Sequence, residues 1–139
     1  MTDAPNVALV RSILACWERG DFGRAEWAHP EIEYVIADGL EPGRYGSAAM
    51  AQGYRSYLSA WEDYRFEAEE FRELDDERVL VLFRRSGQAK ASGLDLEQMR
   101  TQSASVFQLR SGMVSRLTVY WDRDRAFADL GLCPGGDAP

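Results

Sequence analysis

Residues 80–132 read LVLFRRSGQAKASGLDLEQMRTQSASVFQLRSGMVSRLTVYWDRDRAFADLGL, and this stretch decides the fold. Leu94 to Leu109 and Met113 to Trp121 are two long strand-like runs that meet at a tight turn, Arg110-Ser111-Gly112. Just upstream, Val79 to Arg85 (VLVLFRR) is a short, nearly continuous apolar run, the pattern of a buried strand. Asp122 is placed to cap a helix over Arg123 to Leu130, which stops at Gly131. A long twisted hairpin closed by a helix predicts a curved sheet. Ser86 to Gly93 reads as a loose connection.

Working outward, Val7, Val10, Ile13, Leu14 and Trp17 recur at helical spacing, so Asn6 to Arg19 predicts a helix ended by Gly20. Asp21 caps a second short helix carrying Phe22, Ala25 and Trp27, which His29-Pro30 breaks. Glu31 to Ile36 alternates charged and apolar residues as a strand does, and Asp38 to Gly46 is a loop. Ser47 caps a third helix running to about Trp61, and Tyr64 to Glu73 is a further strand before the turn at Asp75-Asp76. Helices followed by antiparallel strands give an α+β domain, with the helices covering one face of a strongly bent sheet. One domain is expected over residues 1–133, with residues 134–139 a disordered tail. A sheet bent over helices leaves a cavity of the kind that holds small ligands.

Composition narrows the function classes. The chain has 139 residues, 45% of them apolar, which suits a single globular core. Sixteen basic residues against twenty-three acidic give a net charge of −7, which disfavours nucleic acid and anionic membranes as partners. No apolar run approaches the ~20 residues of a membrane span. The first residues lack the charged and apolar regions of an export signal, and Cys16 and Cys133 stand far apart. Both features suit a reducing cytoplasm. No Cys/His metal set, phosphate loop, dinucleotide fingerprint or Ser-His-Asp order is present, so the expectation is a protein without metal or cofactor.

The order of motifs resembles a known family. The quoted residues are Gly20-Asp21-Phe22, then His29-Pro30-Glu31-Ile32-Glu33-Tyr34, Gly46 before a helix, Ser92-Gly93, Gly112 in the hairpin and Asp122-Arg123 through Ala126 to Gly131-Leu132. Together they are similar to the SnoaL-like branch of the nuclear transport factor 2-like superfamily, which includes polyketide cyclases, ketosteroid isomerases and limonene epoxide hydrolases. The resemblance implies a cystatin-like cone: a curved antiparallel sheet packed on N-terminal helices, a short C-terminal helix, and a ligand in the open end. It also implies a homodimer joined sheet to sheet. The family's known catalysts do not carry over. The isomerase tyrosine, base and oxyanion acid fall on Ile13, near Val35 and on Ser105. The epoxide hydrolase set has only Arg100-Thr101-Gln102 as its nearest counterpart, without the carboxylate. The cyclase strand face reads Leu117, Val119, Trp121.

Strand alternation supplies other candidates. If Ser105 points inward, so do Glu97, Met99, Thr101, Ser103 and Phe107; if Val35 points inward, so does Glu33. Desolvation among Trp17, Tyr57, Trp61 and Trp121 could raise a carboxylate toward neutrality and make it a proton shuttle. The candidate catalytic residues are therefore Glu97 and Glu33. The candidate ligand-binding residues are Trp17, Tyr57, Trp61, Met99, Thr101, Ser103, Ser105 and Trp121. Each has a structural reading beside it: the carboxylates as partners of Arg84, Arg85 or Arg100, the hydroxyls as cross-strand partners, the aromatics as core. Of the adjacent pair Arg84-Arg85, one guanidinium can face inward, where it could hold an acidic ligand, and the other must then face out. His29 reads as a cap or surface residue. The expected function is a pocket for a small apolar or amphipathic organic molecule, acting as a cofactor-free isomerase or cyclase by carboxylate acid–base chemistry. The alternative is a non-catalytic ligand-binding or dimerisation domain.

Overall fold

A computed structural model describes residues 5–19, 26–37, 43–59, 61–89 and 102–131. The second short helix expected from Asp21, the stretch carrying Glu97, Met99 and Thr101, Cys133 and the 134–139 tail lie outside the described residues. The elements run α1 (Pro5–Glu18), β1 (Ala28–Ile36), β2 (Arg44–Tyr45), α2 (Ser47–Ser59), β3 (Trp61–Glu73), β4 (Arg78–Ala89), β5 (Gln102–Arg110), β6 (Met113–Tyr120) and α3 (Arg123–Leu130). No helix among the described residues is long and apolar enough to cross a membrane.

The six strands form one sheet in the order β2-β1-β6-β5-β4-β3. The expected antiparallel sheet is in fact mixed, because β1 pairs with β6 in parallel while the other neighbours are antiparallel. A long connection through α2 separates those two strands in sequence, which is what permits a parallel pair. Pro30 falls where the β1–β6 register slips, between Ala28 and Glu33, so its missing N–H breaks no rung. His29-Pro30 thus lies within β1 and does not end a helix. The His29 ring is exposed, and its Nδ1 accepts the Glu31 N–H at 3.0 Å.

Two other expected boundaries move. The third helix stops at Ser59, and Trp61 opens β3 instead of closing the helix. β4 continues to Ala89, through the stretch read as loose, because β3 reaches back far enough to pair Trp61 with Ala89 and Glu62 with Gln88. Gly87 makes that approach possible. It has φ +145°, and a Cβ there would lie 3.0 Å from the Glu62 carbonyl oxygen and 3.2 Å from the Tyr64 Cα. The hairpin turn is as tight as its sequence suggests: Arg110 pairs with Met113, and the two residues between them, Ser111 and Gly112, have φ +53° and +77°. Two consecutive left-handed residues give the turn whose twist matches the strands it joins.

Alternation sorts the sheet into two buried faces. The inner face carries Val79, Val81 and Phe83 of β4, Phe107 and Leu109 of β5, and Leu117 and Val119 of β6, packed on Val10, Ile13, Leu14 and Trp17 of α1. Each such fully buried side chain contributes about 1.5–3 kcal/mol of transfer free energy. The outer face carries Leu80, Leu82, Ala104, Val106 and Tyr120, and against these pack Ala126 and Phe127 of α3. The helices therefore do not all cover one face. α3 sits on the side opposite α1, which explains why β4 and β5 are apolar on both of their faces. Register shifts in β3, between Glu62 and Arg65 and between Ala68 and Glu70, and in the β5–β6 pair after Gln108, bend the sheet around α1.

Candidate functional site

At one end of the inner face Val79, Leu109 and Val114 are 0–2% exposed, beside the half-buried Trp27 and Phe71. At the other end lie the C-terminal parts of β1, β4 and β6 and the N-terminal parts of β3 and β5. There the inner-facing Ile36, Tyr64 and Trp121 are only half-buried. At this end polar side chains enter the interior.

Arg85 is the principal one. It follows the VLVLF run on β4 in phase with Val81 and Phe83, and it is only 6% exposed. Its neighbour Arg84 points outward and pairs with Glu69 at 3.7 Å. The alternation argued from the sequence holds at this pair. The Arg85 guanidinium carbon sits 4.2 Å from the centre of the Trp121 ring, a cation–π contact. Its Nε–H donates to Ser103 Oγ at 3.2 Å, and the Ser103 hydroxyl donates to the Trp121 carbonyl at 2.9 Å. Ser103, completely buried, thereby joins β4 to the end of β6. Ser105, 3% exposed, lies two residues further along the same face of β5, opposite Val81 and Val119.

Of the residues singled out in the sequence, Ser103, Ser105 and Trp121 thus lie on neighbouring strands of the inner face, and Arg85 contacts Ser103 and Trp121. Trp61 is half-buried at the start of β3, paired with Ala89 on the same rim. Trp17 lies deeper. It is 4% exposed and is enclosed by Trp27, Phe66 and Phe107, whose ring centres are 5.7–5.9 Å from its own. Phe66 in turn stacks on Phe83 at 4.5 Å and pairs with Arg85 across the β3–β4 ladder. Tyr57 lies on α2, but its side chain is outside what is described, as are Glu97, Met99 and Thr101.

Glu33 is a correction. Ile32 and Tyr34 are the inner residues of β1, both at most 6% exposed in the inner core, so Glu33 and Val35 face outward. The Glu33 carboxylate pairs with Arg116 of β6 at 3.2 Å, opposite which it sits in the parallel ladder. The sequence reading put the wrong face inward because alternation gives only the relative phase of neighbours. Arg85 was visible as one of an inward–outward pair but carried no family motif to mark it.

The outer face also holds a shallow groove of about 180 Å³, lined by Arg78, Gln108, Arg116, Thr118, Tyr120 and Leu130 among others. Burial pushes the Tyr120 phenol above its ordinary pKa there, and the nearby charge of Asp129 adds to the effect. Among the described residues no cluster of His, Cys, Asp or Glu is arranged to hold a metal ion.

A family model described as the SnoaL-like domain matches residues 10–117. No curated relative matches the sequence. Solved structures match the fold closely. An NTF2-like protein of unknown function from Burkholderia pseudomallei K96243 aligns with TM-score 0.72 and 20% identity over 91% of this chain and 97% of its own. TerC, co-crystallised with polyporic acid, aligns with TM-score 0.70 and 22% identity over 91% and 98%. A protein with a ketosteroid isomerase-like fold from Catenulispora acidiphila DSM 44928, in complex with trimethylamine, aligns with TM-score 0.67 and 12% identity over 93% and 96%.

Proposed function

The chain belongs to the SnoaL-like family, and we propose that it holds a small amphipathic organic molecule in the open end of its cone, with an acidic or enolate-like oxygen of that molecule facing Arg85. The observation that carries this reading is the buried Arg85 guanidinium, stacked on Trp121 and bonded to Ser103 on the inner face beside half-buried aromatic walls. A guanidinium stays charged wherever it is placed. Held in an apolar wall, it meets an incoming oxyanion at a lower effective dielectric than water provides, so the attraction is stronger than on the surface. Tyr64, Ile36 and the Trp121 ring would cover the apolar body of such a ligand. That two fold neighbours hold polyporic acid and trimethylamine supports small organic ligands as the class.

Arg85 also suits an isomerase or cyclase reaction. In that form of the proposal Glu97 takes a proton from the carbon beside a carbonyl and returns it at another position, while Arg85 faces the oxyanion that develops in between. Glu33 has no part in it, because its carboxylate lies on the other side of the sheet. A homodimer would use the outer-face strip of Val35, Arg78, Gln108, Arg116 and Thr118 that α3 leaves uncovered, and sedimentation velocity is the measurement that decides it.

The ligand reading is tested with two probes of one shape, 2-naphthoate and its neutral amide, titrated calorimetrically into the protein and into Arg85→Met. The naphthoate should bind roughly tenfold more tightly than the amide, the value of one charge-assisted hydrogen bond, and the preference should vanish in Arg85→Met. Equal binding of both probes, or a preference that survives the substitution, would overturn the reading.

A further inference from the structure

We propose that Arg123 is a positioning residue for this site: from the outer face of the sheet it clamps the Phe83–Ser103 rung of the β4–β5 ladder and so holds the Ser103 hydroxyl in place against Arg85. The inference rests on the reading of Arg85 as the ligand-facing group and adds what keeps it there.

The contacts lie beside the site. Phe83 pairs with Ser103 across the β4–β5 ladder, two residues before Arg85. On the far side the β3–β4 ladder is interrupted next to this rung: Ala68 pairs with Phe83 and Glu70 with Leu82, leaving Glu69 as the extra residue of a bulge. A bulge disrupts the ladder locally, so a side chain that joins it to the Phe83–Ser103 rung adds a tie the strands do not make there themselves.

Arg123 makes that tie. It is the first residue of α3, and its side chain is 15% exposed. Its Nε–H donates to the Ser103 carbonyl at 3.2 Å and its Nη2 to the Phe83 carbonyl at 2.9 Å, one carbonyl from each strand of the rung. Nη2 also donates to Glu69 of the bulge at 2.5 Å. One planar group thus joins β4, β5 and the β3 bulge, while the Ser103 hydroxyl on the other face joins Arg85 and Trp121. The fork geometry matters: an ammonium is a point charge and cannot span these three acceptors from one fixed plane. Docking of α3 has its own basis in Ala126, Phe127 and the half-buried Leu130. Arg123 can therefore be altered without releasing the helix.

The experiment compares Arg123→Gln and Arg123→Lys with Leu130→Ala, which weakens α3 at its other end and touches neither strand carbonyl. Two readouts are followed at neutral pH: the Arg85 Nε–H cross-peak in a nitrogen–proton correlation spectrum, and the ratio of 2-naphthoate to 2-naphthamide affinity. In the unaltered protein the cross-peak should be sharp, since its bond to Ser103 slows exchange. Arg123→Gln should broaden it and lower the naphthoate preference roughly tenfold, with amide affinity unchanged. Arg123→Lys should fall between. Leu130→Ala should lower stability and leave both readouts as they were. If Arg123→Gln does not fold, Arg123→Lys carries the test alone. Readouts unmoved in the Arg123 variants, or moved equally in Leu130→Ala, would overturn the positioning role. A cross-peak that depends on Arg123 in a protein that binds both probes equally would sink the anionic-ligand reading and leave the positioning of Arg85 intact.

Discussion

Arg85 and Ser103 hold each other on the inner face of neighbouring strands, the Arg85 Nε–H donating to the Ser103 hydroxyl at 3.2 Å while that hydroxyl donates onward to the Trp121 carbonyl at 2.9 Å. Both residues are at most 6% exposed, so water does not stand ready to replace either partner. Ser103→Ala removes an acceptor from the guanidinium and a donor from the carbonyl at once. Unfolding in urea should show a loss of about 1–3 kcal/mol, the cost of leaving buried polar groups without that partner. A midpoint unchanged from the parent would mean that the contact contributes nothing to the fold.

Glu33→Gln tests the outward placement of that carboxylate. Its ion pair with Arg116 is half-exposed, with side-chain exposures of 31% and 48%, so stability should fall by no more than about 1 kcal/mol. Affinity for the naphthoate probe should not change. A marked loss of binding in this variant would return Glu33 to the site and contradict the strand phase described above.

Phe107→Ala should be among the most damaging single changes. Its ring is fully buried and lies 5.9 Å from Trp17 and 6.4 Å from Trp27, centre to centre. Truncation leaves a cavity walled by rigid aromatics that cannot collapse, and the expected cost is about 3–5 kcal/mol. Thermal unfolding monitored by circular dichroism checks this. A drop of only a degree or two would show the aromatic cluster to be loosely packed.

Gly87→Ala should destabilise more than Gly112→Ala. Both glycines have positive φ, but a Cβ at Gly112 meets nothing within 4 Å, whereas one at Gly87 meets β3 backbone at 3.0 and 3.2 Å. Gly112→Ala costs about 1 kcal/mol of backbone strain. Gly87→Ala adds a collision that only a shift of β3 can relieve. Denaturant midpoints for the two variants settle the order.

Asp75 ties the β3–β4 turn to pH. Hydrogen bonds from the Glu77 N–H at 2.9 Å and from the Arg78 Nε at 2.7 Å hold its carboxyl below its ordinary pKa. A depressed folded pKa means that the stabilisation is present above the unfolded value of about 3.9 and disappears as pH falls through the folded value. Asp75→Asn should therefore be less stable than the parent at neutral pH, with the difference closing below about pH 4. A difference that stays constant across that window would show that the charge of Asp75 is not involved.

Much of the architecture was legible because its signals are local. The stripe Val7, Val10, Ile13, Leu14, Trp17 predicted α1, and all five are buried. Ser111-Gly112 predicted the hairpin turn, and Asp122 the cap of α3, where its carboxylate accepts the Asp124 N–H at 3.1 Å. The Arg84-Arg85 doublet allowed one cation to face inward with the other then facing out, and Arg85 is the inward one. Other features were not legible because they depend on distant partners. β4 runs on to Ala89 only because β3 meets it there. α3 crosses to the outer face because β4 and β5 offer Leu80, Leu82, Ala104 and Val106 on that side. Arg123 joins two carbonyls whose positions only the assembled sheet defines.

By itself the amino-acid order determined α1, α3 and the central strands, where the hairpin turns, and which residues share a strand face with one another. Which of the two faces looks inward was decided only in the tertiary structure, and so was the meeting of Arg85, Ser103, Trp121 and Arg123. The reason is physical. Side-chain alternation along a strand is a property of the local backbone. The choice of face belongs to whichever helix buries it, and that contact joins residues far apart in the chain.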